Sequence, residues 1–340
     1  MESRPLISII IPTYQSEHSL ENTLRSIRMQ SIDSSEIEIL CIDGGSTDRT
    51  REIALQYGAK VIENPMRMPE PAKHIGMMQA TGKFLIKQDS DEEYVSQTQL
   101  EKRLDTLKLQ PQIHCILADR LIPPKGSGIA CAYLNAVGDP FTYFVYQAKG
   151  SITKSFAKHA TKKLSNGAVV YQFQQDDVLP IGDGGTTMID LDYVRKNFSS
   201  KMSQPSFVGT VFNDVLRATG ATACIPGDDI LHNSSSSIGV YLNKLKFRVI
   251  NNVHQQENSG YSARAQSNKC LRNRKFLYPL YCLSIIFPIV DGIRLSMAQR
   301  DGSFLLHPFY AWYVLVFTAL EMCKKWFGFH NQNHFYGNTK

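Results

Sequence analysis

Four carboxylates follow a short apolar run in the stretch KFLIKQDSDEEY. They belong to Asp89, Asp91, Glu92 and Glu93, and the apolar run is residues 84–86. Two carboxylates spaced like Asp89 and Asp91 suit Mg²⁺ or Mn²⁺, which prefer oxygen ligands and keep positions open for phosphates. The alternative is a solvated turn that starts a helix. We expect Glu93 to begin that helix, because negative charge is favoured at a helix N-terminus.

Polar residues also follow two other predicted strands. Residues 6–12 and 36–43 are apolar, β-branched runs that indicate strands buried on both faces. The first run ends at Pro12, Thr13 and Tyr14, and the second ends at Asp43. Strands and helices alternate as βαβαβαβ up to residue 89, which predicts a parallel, doubly wound sheet. Ligands bind such sheets outside the carboxyl ends of the strands, where all these polar residues fall.

The second half of the chain is less regular. We predict strands at residues 115–122, 223–232 and 246–253, a strand followed by a helix at residues 185–197, and a helix over residues 209–220. We expect this half to extend the same sheet and to form an acceptor site against its edge.

Composition and missing motifs exclude several classes of protein. The chain has 340 residues, of which 43% are hydrophobic and 20% charged, as in a globular protein. Seven cysteines without C-x-x-C spacing indicate neither a zinc site nor a disulfide scaffold, and they fit a reducing cytoplasm. The first apolar run stops at Pro12, too early for a signal peptide. The lack of a Walker loop and of G-x-G-x-x-G argues against nucleotide hydrolases and dinucleotide oxidoreductases.

Two apolar runs near the carboxyl terminus predict contact with a membrane. Residues 276–290 and 304–320 are each shorter than the roughly 20 residues that span a bilayer. Basic residues flank them, at Arg264, Lys269, Arg272, Arg274, Lys275, Lys324 and Lys325. This pattern favours interfacial or re-entrant contact with an anionic membrane surface, and the alternative is a pair of buried core helices. Nucleic acid is not expected as a partner, because no nucleic-acid-binding motif accompanies the basic cluster.

Three segments of the sequence resemble those of a known family. Residues 8–30, 36–50 and 72–94 resemble the inverting, family 2 glycosyltransferases of the GT-A fold. The resemblance is almost unbroken from residue 6 to residue 94 and continues more loosely to about residue 255. It implies an α/β fold with a mostly parallel, doubly wound sheet flanked by helices, to which this chain adds an apolar helical tail. We expect a nucleotide-sugar-binding half at 1–118, an acceptor-binding and catalytic half at 119–262, and the membrane-associating tail at 263–340.

The resemblance also assigns roles to residues of the donor site. Pro12, Thr13 and Tyr14 would line the nucleotide pocket, and Asp43 would accept a hydrogen bond from the base, typically uracil N3–H. Lys73 would lie near the phosphates. The remaining assignments concern a bound Mg²⁺ or Mn²⁺ and the ribose: Asp89 would lie near the ribose and the metal, Asp91 would bind the metal, and His232 would contact the metal or the diphosphate.

On the acceptor side, the resemblance implies that Asp214 is the catalytic base, and Asp228 or Asp229 is the rival. An inverting transfer needs a carboxylate that takes the acceptor proton on the face opposite the leaving diphosphate. Gly184 and Gly185 would let the backbone approach the sugar closely.

The expected function is a metal-dependent, inverting transfer from a nucleotide-sugar donor, typically linked to UDP. The tail suggests a lipid-linked acceptor, such as a polyprenyl-diphosphate saccharide in cell-envelope polysaccharide synthesis at the cytoplasmic face of the membrane. No Gln-x-x-Arg-Trp motif of the processive synthases is present, so a single addition is expected. The family's usual Asp-Asp and Glu-Asp pairs read Asp43-Gly44 and Asn213-Asp214 here. These departures leave open an alternative: a non-catalytic GT-A-like protein that binds a nucleotide or a partner at the membrane.

Overall fold

The computed structural model of the chain describes residues 4–146, 150–181, 187–234, 237–254 and 273–328. Gly184 and Gly185 lie outside these ranges. In the described residues, a nine-stranded sheet carries the fold. Its strands are β1 (Ile7–Thr13), β2 (Ile37–Asp43), β3 (Lys60–Glu63), β4 (Phe84–Lys87), β6 (Cys115–Leu117), β8 (Ala160–Lys163), β9 (Val169–Gln172), β10 (Thr187–Asp190) and β11 (Ala221–Cys224). A second, three-stranded sheet contains β5 (Glu92–Tyr94), β7 (Arg120–Ile122) and β12 (Asp229–His232).

The parallel part of the main sheet confirms the predicted fold class. The strand order is β3-β2-β1-β4-β10-β6-β11-β9-β8, and the first four of these strands are mutually parallel. Strand β1 is apolar along its length because both of its faces are covered. Ile9 and Ile11 point into one hydrophobic core and Ile10 into the other. Strands β8, β9 and β10 pair antiparallel to their neighbours and complete a mixed sheet.

Helices cover both faces of the main sheet and form the carboxyl-terminal part of the molecule. They are α1 (Leu20–Arg28), α2 (Thr50–Gln56), α3 (Pro69–Gln79), α4 (Gln99–Leu109), α5 (Ile129–Val137), α6 (Pro140–Tyr146), α7 (Ile152–Ser155), α8 (Leu191–Asn197), α9 (Ser199–Met202), α10 (Val211–Thr219), α11 (Ile238–His254), α12 (Tyr278–Leu283), α13 (Ile286–Gln299) and α14 (His307–Trp326).

Four local predictions were wrong. Residues 223–232 divide between two strands, β11 and β12, that lie in different sheets. Residues 246–253 belong to helix α11 instead of a strand, because Tyr241, Leu245 and Val249 recur every four residues and bury one helical face. Residues 115–122 form two strands, β6 and β7, that lie in different sheets. Glu93 lies inside strand β5, and the next helix begins only at Gln99.

Each strand of the small sheet continues a strand of the main sheet after a short interruption. The interruptions are residues 88–91 between β4 and β5, residues 118–119 between β6 and β7, and residues 225–228 between β11 and β12. Asp119 joins the second interruption to the third: its N–H donates to the Asp228 carbonyl at 2.8 Å, and its carboxylate accepts from the Gly227 N–H at 3.2 Å. These two hydrogen bonds hold the second and third interruptions together where the two sheets meet.

The carboxyl-terminal helices pack on α5, α6 and α11 through an aromatic core. Helices α12 and α13 meet at a bend of 94°, and Ile285 at the bend has a φ of 59°. Among the described residues, Gly302–Trp326 is the one continuous helical segment long and apolar enough to cross a bilayer, and 33% of its apolar stretch is buried. The bent pair adds a second candidate only if it counts as one broken span. Apolar side chains remain exposed on all three helices, including Leu280, Ile286, Phe287, Met297, Phe309 and Trp326.

Candidate active site

The carboxyl ends of β1 and β2 hold the first two polar residues of the site. Thr13 and Asp43 are paired in the parallel ladder, and the Thr13 hydroxyl donates to the Asp43 carboxylate at 3.2 Å. Asp43 is buried, and its carboxylate also accepts from the Ser46 N–H at 2.9 Å and the Gly45 N–H at 3.1 Å. These bonds close a tight turn after the strand, in which Gly45 has a φ of 86°. Asp43 thus shapes the loop that borders the crevice.

Tyr14 lies where a side chain at position 44, which is a glycine here, would extend. Its ring is half-buried, and a Cβ at Gly44 would lie 3.3 Å from Tyr14 Cδ2. The departure from the family's Asp-Asp pair therefore accompanies an aromatic ring packed against this turn. Pro12 is half-buried in the preceding position of β1.

Lys73 and Asp89 meet across the crevice. The Lys73 ammonium lies 2.8 Å from the Asp89 carboxylate. Lys73 is carried by helix α3, which approaches β1 closely because Gly76 has no side chain: a Cβ there would lie 2.3 Å from Ile10 Cγ2. The predicted phosphate-side cation and the predicted ribose-side carboxylate are therefore brought together.

Asp91 lies beside His232, as the predicted metal site requires. The Nε2 atom of His232 is 3.5 Å from the Asp91 carboxylate. Burial lowers the pKa of His232, but the hydrogen bond and charge of Asp91 outweigh it, and the net shift is upward. His232 comes from β12 of the small sheet, so the pair is formed where the two sheets meet.

Asn135 on helix α5 holds His232 from the other side. Its Oδ1 atom lies 2.7 Å from His232 Nδ1, and its Nδ2 donates to the His232 carbonyl at 2.9 Å. Because an amide oxygen only accepts, Nδ1 carries the hydrogen and Nε2 faces Asp91. No sequence pattern pointed to Asn135, since its partner is 97 residues away.

Glu92 is a buried carboxylate that sequence reasoning left without a role. Its side chain accepts from the Asp89 N–H at 2.9 Å. Burial, reinforced by the negative charge of Asp89, raises the pKa of Glu92 to about 7. Glu92 therefore fixes the backbone of the Asp89–Asp91 turn instead of facing solvent.

Lys87 ends the otherwise apolar strand β4, Gln88 follows it, and both side chains are buried. The Lys87 ammonium donates to the Val208 carbonyl at 2.8 Å, in the 3-10 segment Pro205–Gly209 that precedes α10. The Gln88 amide donates to the Glu92 carbonyl at 2.8 Å. Two long polar side chains at the carboxyl end of a buried strand are a visible signal that this strand end makes side-chain contacts to neighbouring segments.

The described donor set fits a divalent cation that binds together with a phosphate ligand. Asp91 and His232 offer an oxygen and a nitrogen close together, whereas the Asp89 carboxylate is paired with Lys73. No group of three or more His, Cys, Asp or Glu side chains within the described ranges forms a complete metal cage. One or two protein ligands plus substrate phosphates is the usual way in which proteins hold Mg²⁺.

The predicted catalytic base is paired with a lysine. Asp214 is in the first turn of α10, and its carboxylate pairs with the Lys201 ammonium at 2.8 Å. Within the described part of the chain, the Asp214 carboxylate makes no hydrogen bond or ion pair with Asp91 or His232. The rivals are both held in ion pairs: Asp228 with the fully buried Arg103 at 2.7 Å, and Asp229 with Arg120 at 2.9 Å. Such pairing favours a structural role for the rivals.

Comparison with known proteins connects this geometry to a family. Residues 8–119 match the family described as Glycosyl transferase family 2. Glycosyltransferase AglE of Haloferax volcanii is 31% identical over 93 residues, which cover 26% of this chain and 31% of that protein. The poly(ribitol-phosphate) beta-N-acetylglucosaminyltransferase TarS of Staphylococcus aureus is 31% identical over 100 residues, which cover 28% of this chain and 17% of TarS. The matched region spans under a third of the length of these two relatives.

Two solved structures share the fold over most of the chain. TarS residues 1–349 of S. aureus, in complex with UDP, match with a TM-score of 0.50 and 15% identity, covering 95% of this chain and 92% of that one. A mannosyltransferase of Pyrobaculum calidifontis, in complex with GDP-Man and Mn²⁺, matches with a TM-score of 0.52 and 12% identity, covering 93% and 88%. The chain therefore has the GT-A fold, and its residues 8–119 are similar to the family 2 glycosyltransferases.

Proposed function

We propose that the protein is a metal-dependent, inverting glycosyltransferase that uses a nucleotide-sugar donor, with UDP as the expected nucleotide. The observation that carries this proposal is that Thr13, Asp43, Asp89 and Asp91 lie at or just after the carboxyl ends of three adjacent parallel strands. Lys73 pairs with Asp89 at the same edge. The two solved relatives with this fold were determined with UDP and with GDP-Man and Mn²⁺, which supports a donor of this class.

The donor would lie across the strand ends, with its base near Asp43 and its diphosphate near Lys73. The Lys73 ammonium pairs with the Asp89 carboxylate at 2.8 Å. When the donor binds, this ammonium would pair with a phosphate instead. Asp91 and His232 would hold the Mg²⁺ or Mn²⁺, and Asn135 keeps Nε2 of His232 directed to that position. When bound, the cation offsets charge on the departing diphosphate.

Asp214 is the proposed base for the acceptor hydroxyl. Its carboxylate is about a quarter exposed and pairs with Lys201. To act as the base, this carboxylate must come next to the acceptor hydroxyl, either through the way the acceptor binds or through a shift of α10. The link from Lys87 to the Val208 carbonyl connects the strand that precedes Asp89 to the segment that precedes α10. Gly184 and Gly185, the proposed points of close approach to the sugar, lie outside the described residues.

The proposed acceptor is a lipid-linked saccharide of cell-envelope polysaccharide synthesis, used at the cytoplasmic face of the membrane. The exposed apolar side chains of α12, α13 and α14 support contact with a bilayer, since contiguous apolar surface is rare on soluble proteins. The proposed division is a donor half at 1–118, an acceptor half at 119–262 and a membrane-associating tail at 263–340. Lys275 and Lys324 would add attraction to an anionic surface.

A thermal-shift panel of nucleotide sugars, with and without Mn²⁺, tests the proposal. A ligand that binds only the folded state raises the apparent stability. We expect a UDP-sugar to raise the melting temperature more with Mn²⁺ than without it, and Asp91→Asn to lose the Mn²⁺-dependent part. Asp105→Asn removes an exposed carboxylate of α4 and is the matched control.

Two results would decide against parts of the proposal. If no nucleotide sugar stabilised the protein, or if Asp91→Asn kept the full Mn²⁺ effect, the donor site would be misassigned. If the donor bound normally but wild-type protein with Mn²⁺ neither hydrolysed nor transferred the sugar, the non-catalytic alternative would be favoured.

A further inference from the structure

A large cavity lies outside the candidate active site, between the acceptor half and the carboxyl-terminal helices. Its volume is about 890 Å³. Small-molecule sites generally measure roughly 300–1,000 Å³. The walls come from α6, α7, α12 and α13 and from the turn that precedes α12. The side chains assigned above to the donor, the metal and the base are not among its lining residues.

Most of the wall is hydrocarbon or aromatic. The apolar lining includes Phe144, Leu277, Leu280, Phe287 and Leu295. Leu280 and Phe287 are also 66% and 61% exposed, so they belong to the open apolar surface of α12 and α13 as well as to the cavity. A hydrocarbon chain can therefore pass from that surface into the cavity without crossing a polar rim at these two residues.

The same cavity is lined by three cations and one carboxylate. The cations are Lys154, Arg274 and Arg294, and the carboxylate is Asp291. Asp291 is already engaged, because Tyr281 donates to it at 3.0 Å and Arg294 lies 3.5 Å away. Its charge is therefore offset, and the cavity keeps an excess of two positive charges. Arginine and lysine close to an apolar wall suit a phosphate attached to a hydrocarbon chain.

We propose that this cavity binds the phosphate-bearing end of a single-chain lipid, with the phosphate at Lys154 and Arg294 and the first part of the chain against Leu280, Phe287 and Leu295. The assignment rests on the proposed function only where it identifies this lipid as the carrier of the acceptor saccharide. The site itself is defined by the cavity, its charges and its continuity with the apolar surface.

A chain of side-chain contacts joins the cavity wall to helix α5, which also carries the residue that holds His232. Tyr281 lies 2.9 Å from His307 Nε2, and the Tyr133 hydroxyl lies 2.6 Å from His307 Nδ1. Tyr133 is on helix α5, two positions before Asn135, which binds His232. Residues two apart point about 200° away from each other on a helix, so α5 lies between the cavity side and the metal side. A lipid in the cavity would thus contact Tyr281, whose hydrogen bonds through His307 and Tyr133 reach the helix that orients His232.

Direct binding of farnesyl phosphate to the full-length protein, in a neutral nonionic detergent, tests the cavity. We expect Lys154→Gln combined with Arg294→Gln to weaken binding by about 20-fold, because each cation near an anionic headgroup contributes severalfold to affinity. The matched control is Lys275→Gln combined with Arg300→Gln, which removes two cations of the tail that do not line the cavity. We expect it to stay within about twofold of wild type. Equal losses in the two double variants would overturn the proposal, because attraction would then come from the tail as a whole.

Filling the cavity provides a second test that does not involve charge. Ala298 lines the cavity, whereas Met297, its neighbour on α13, does not and is 76% exposed. We expect Ala298→Trp to weaken farnesyl phosphate binding by about tenfold or more and Met297→Trp to have little effect. Unchanged binding by a folded Ala298→Trp variant would refute the site.

Two further ligands identify the source of the phosphate. Inorganic phosphate alone should not compete at concentrations where farnesyl phosphate saturates, and equal competition would overturn the role of the hydrocarbon wall. Phosphatidylglycerol in the same detergent should bind more weakly than farnesyl phosphate. Equal binding that shows the same losses in the cavity variants would support the site and assign it to membrane phospholipid.

Measuring the UDP-sugar thermal shift with Mn²⁺ on the same variants distinguishes failure of the lipid site from failure of the proposed function. The cavity variants should keep that shift, because none of the changed residues lies among the donor-site residues. If wild type showed no such shift but the cavity variants still lost farnesyl phosphate binding, the donor assignment would fail and the lipid site would stand. The reverse result would remove the lipid site alone.

Discussion

Replacing Asn135 with leucine should weaken Mn²⁺ binding about 10- to 100-fold, because Asn135 orients His232. The two side chains are nearly isosteric, so the change removes hydrogen bonds and little volume. Asn135 is buried, accepts from His232 Nδ1 at 2.7 Å and donates to the His232 carbonyl at 2.9 Å. In the leucine variant both groups of His232 lose this partner, and the ring is no longer directed at Asp91.

The magnitude follows from what the amide does. Groups that orient a metal-binding histidine typically change metal affinity by about 10- to 100-fold when they are removed. That range corresponds to about 1.4–2.7 kcal/mol of binding free energy. Each lost hydrogen bond should also lower the free energy of unfolding by about 1 kcal/mol, so the variant is expected to fold. Mn²⁺ affinity is measured by calorimetric titration with saturating UDP, and stability by urea unfolding.

Two comparison variants separate orientation from general damage. Asn135→Asp keeps an oxygen that accepts from Nδ1 and should retain more Mn²⁺ affinity than the leucine variant. Asn197→Leu removes an exposed amide that donates to the Tyr193 carbonyl, and it should leave Mn²⁺ binding unchanged. The reasoning would be refuted if Asn135→Leu bound Mn²⁺ within about twofold of wild type while its unfolding midpoint fell, since Asn135 would then be purely structural.

Three further predictions concern carboxylates. Asp214→Asn should keep the UDP-sugar thermal shift but lose transfer by about 10²- to 10⁴-fold in a product assay, and unchanged turnover would remove Asp214 from the mechanism. Asp228→Ala leaves the guanidinium of Arg103 fully buried without its carboxylate, and should lower the free energy of unfolding in urea by about 3–5 kcal/mol; a loss under about 1 kcal/mol would contradict the pairing argument. Burial raises the pKa of Asp119, but hydrogen bonds from neighbouring backbone and hydroxyl groups outweigh it and lower the pKa below its usual value. Stability lost in Asp119→Asn should therefore be fully evident in urea unfolding above about pH 5 and shrink as the pH falls below about 4, and a difference constant from pH 3 to pH 7 would contradict it.

The parallel part of the main sheet was predictable because its signals are local. Apolar runs such as residues 6–12 identify buried strands without knowledge of the rest of the chain. The polar residues that end those strands, such as Asp43 and Asp91, then face one crevice because parallel strands share a carboxyl edge. The pairing of Asp91 with His232 was also expected, although only from the resemblance to the family.

The remaining parts depend on contacts between distant segments. Nothing near Asn135 in the sequence indicates that it binds His232, and burial of Glu92 is visible only once β5 pairs with β12. The β-branched residues within 246–253 favour a strand when this segment is considered alone. The four-residue spacing that indicates a helix is evident only when the segment is extended back to Tyr241. The split of residues 115–122 between two sheets requires knowing which strands lie beside β6 and β7.

The three interruptions between the sheets have a consequence for how the chain can vary in length. Surface loops ordinarily accept insertions at small cost, since closing a somewhat longer loop loses little entropy. Residues 88–91, 118–119 and 225–228 are different, because each is flanked on both sides by strands that pair within a sheet. One inserted residue would shift β5 or β12 by one position, place Glu92 opposite the wrong partner instead of His232, and turn its side chain to the other face. The lengths of these three segments are therefore tied to one another, and insertions should be tolerated elsewhere on the molecule before they are tolerated here.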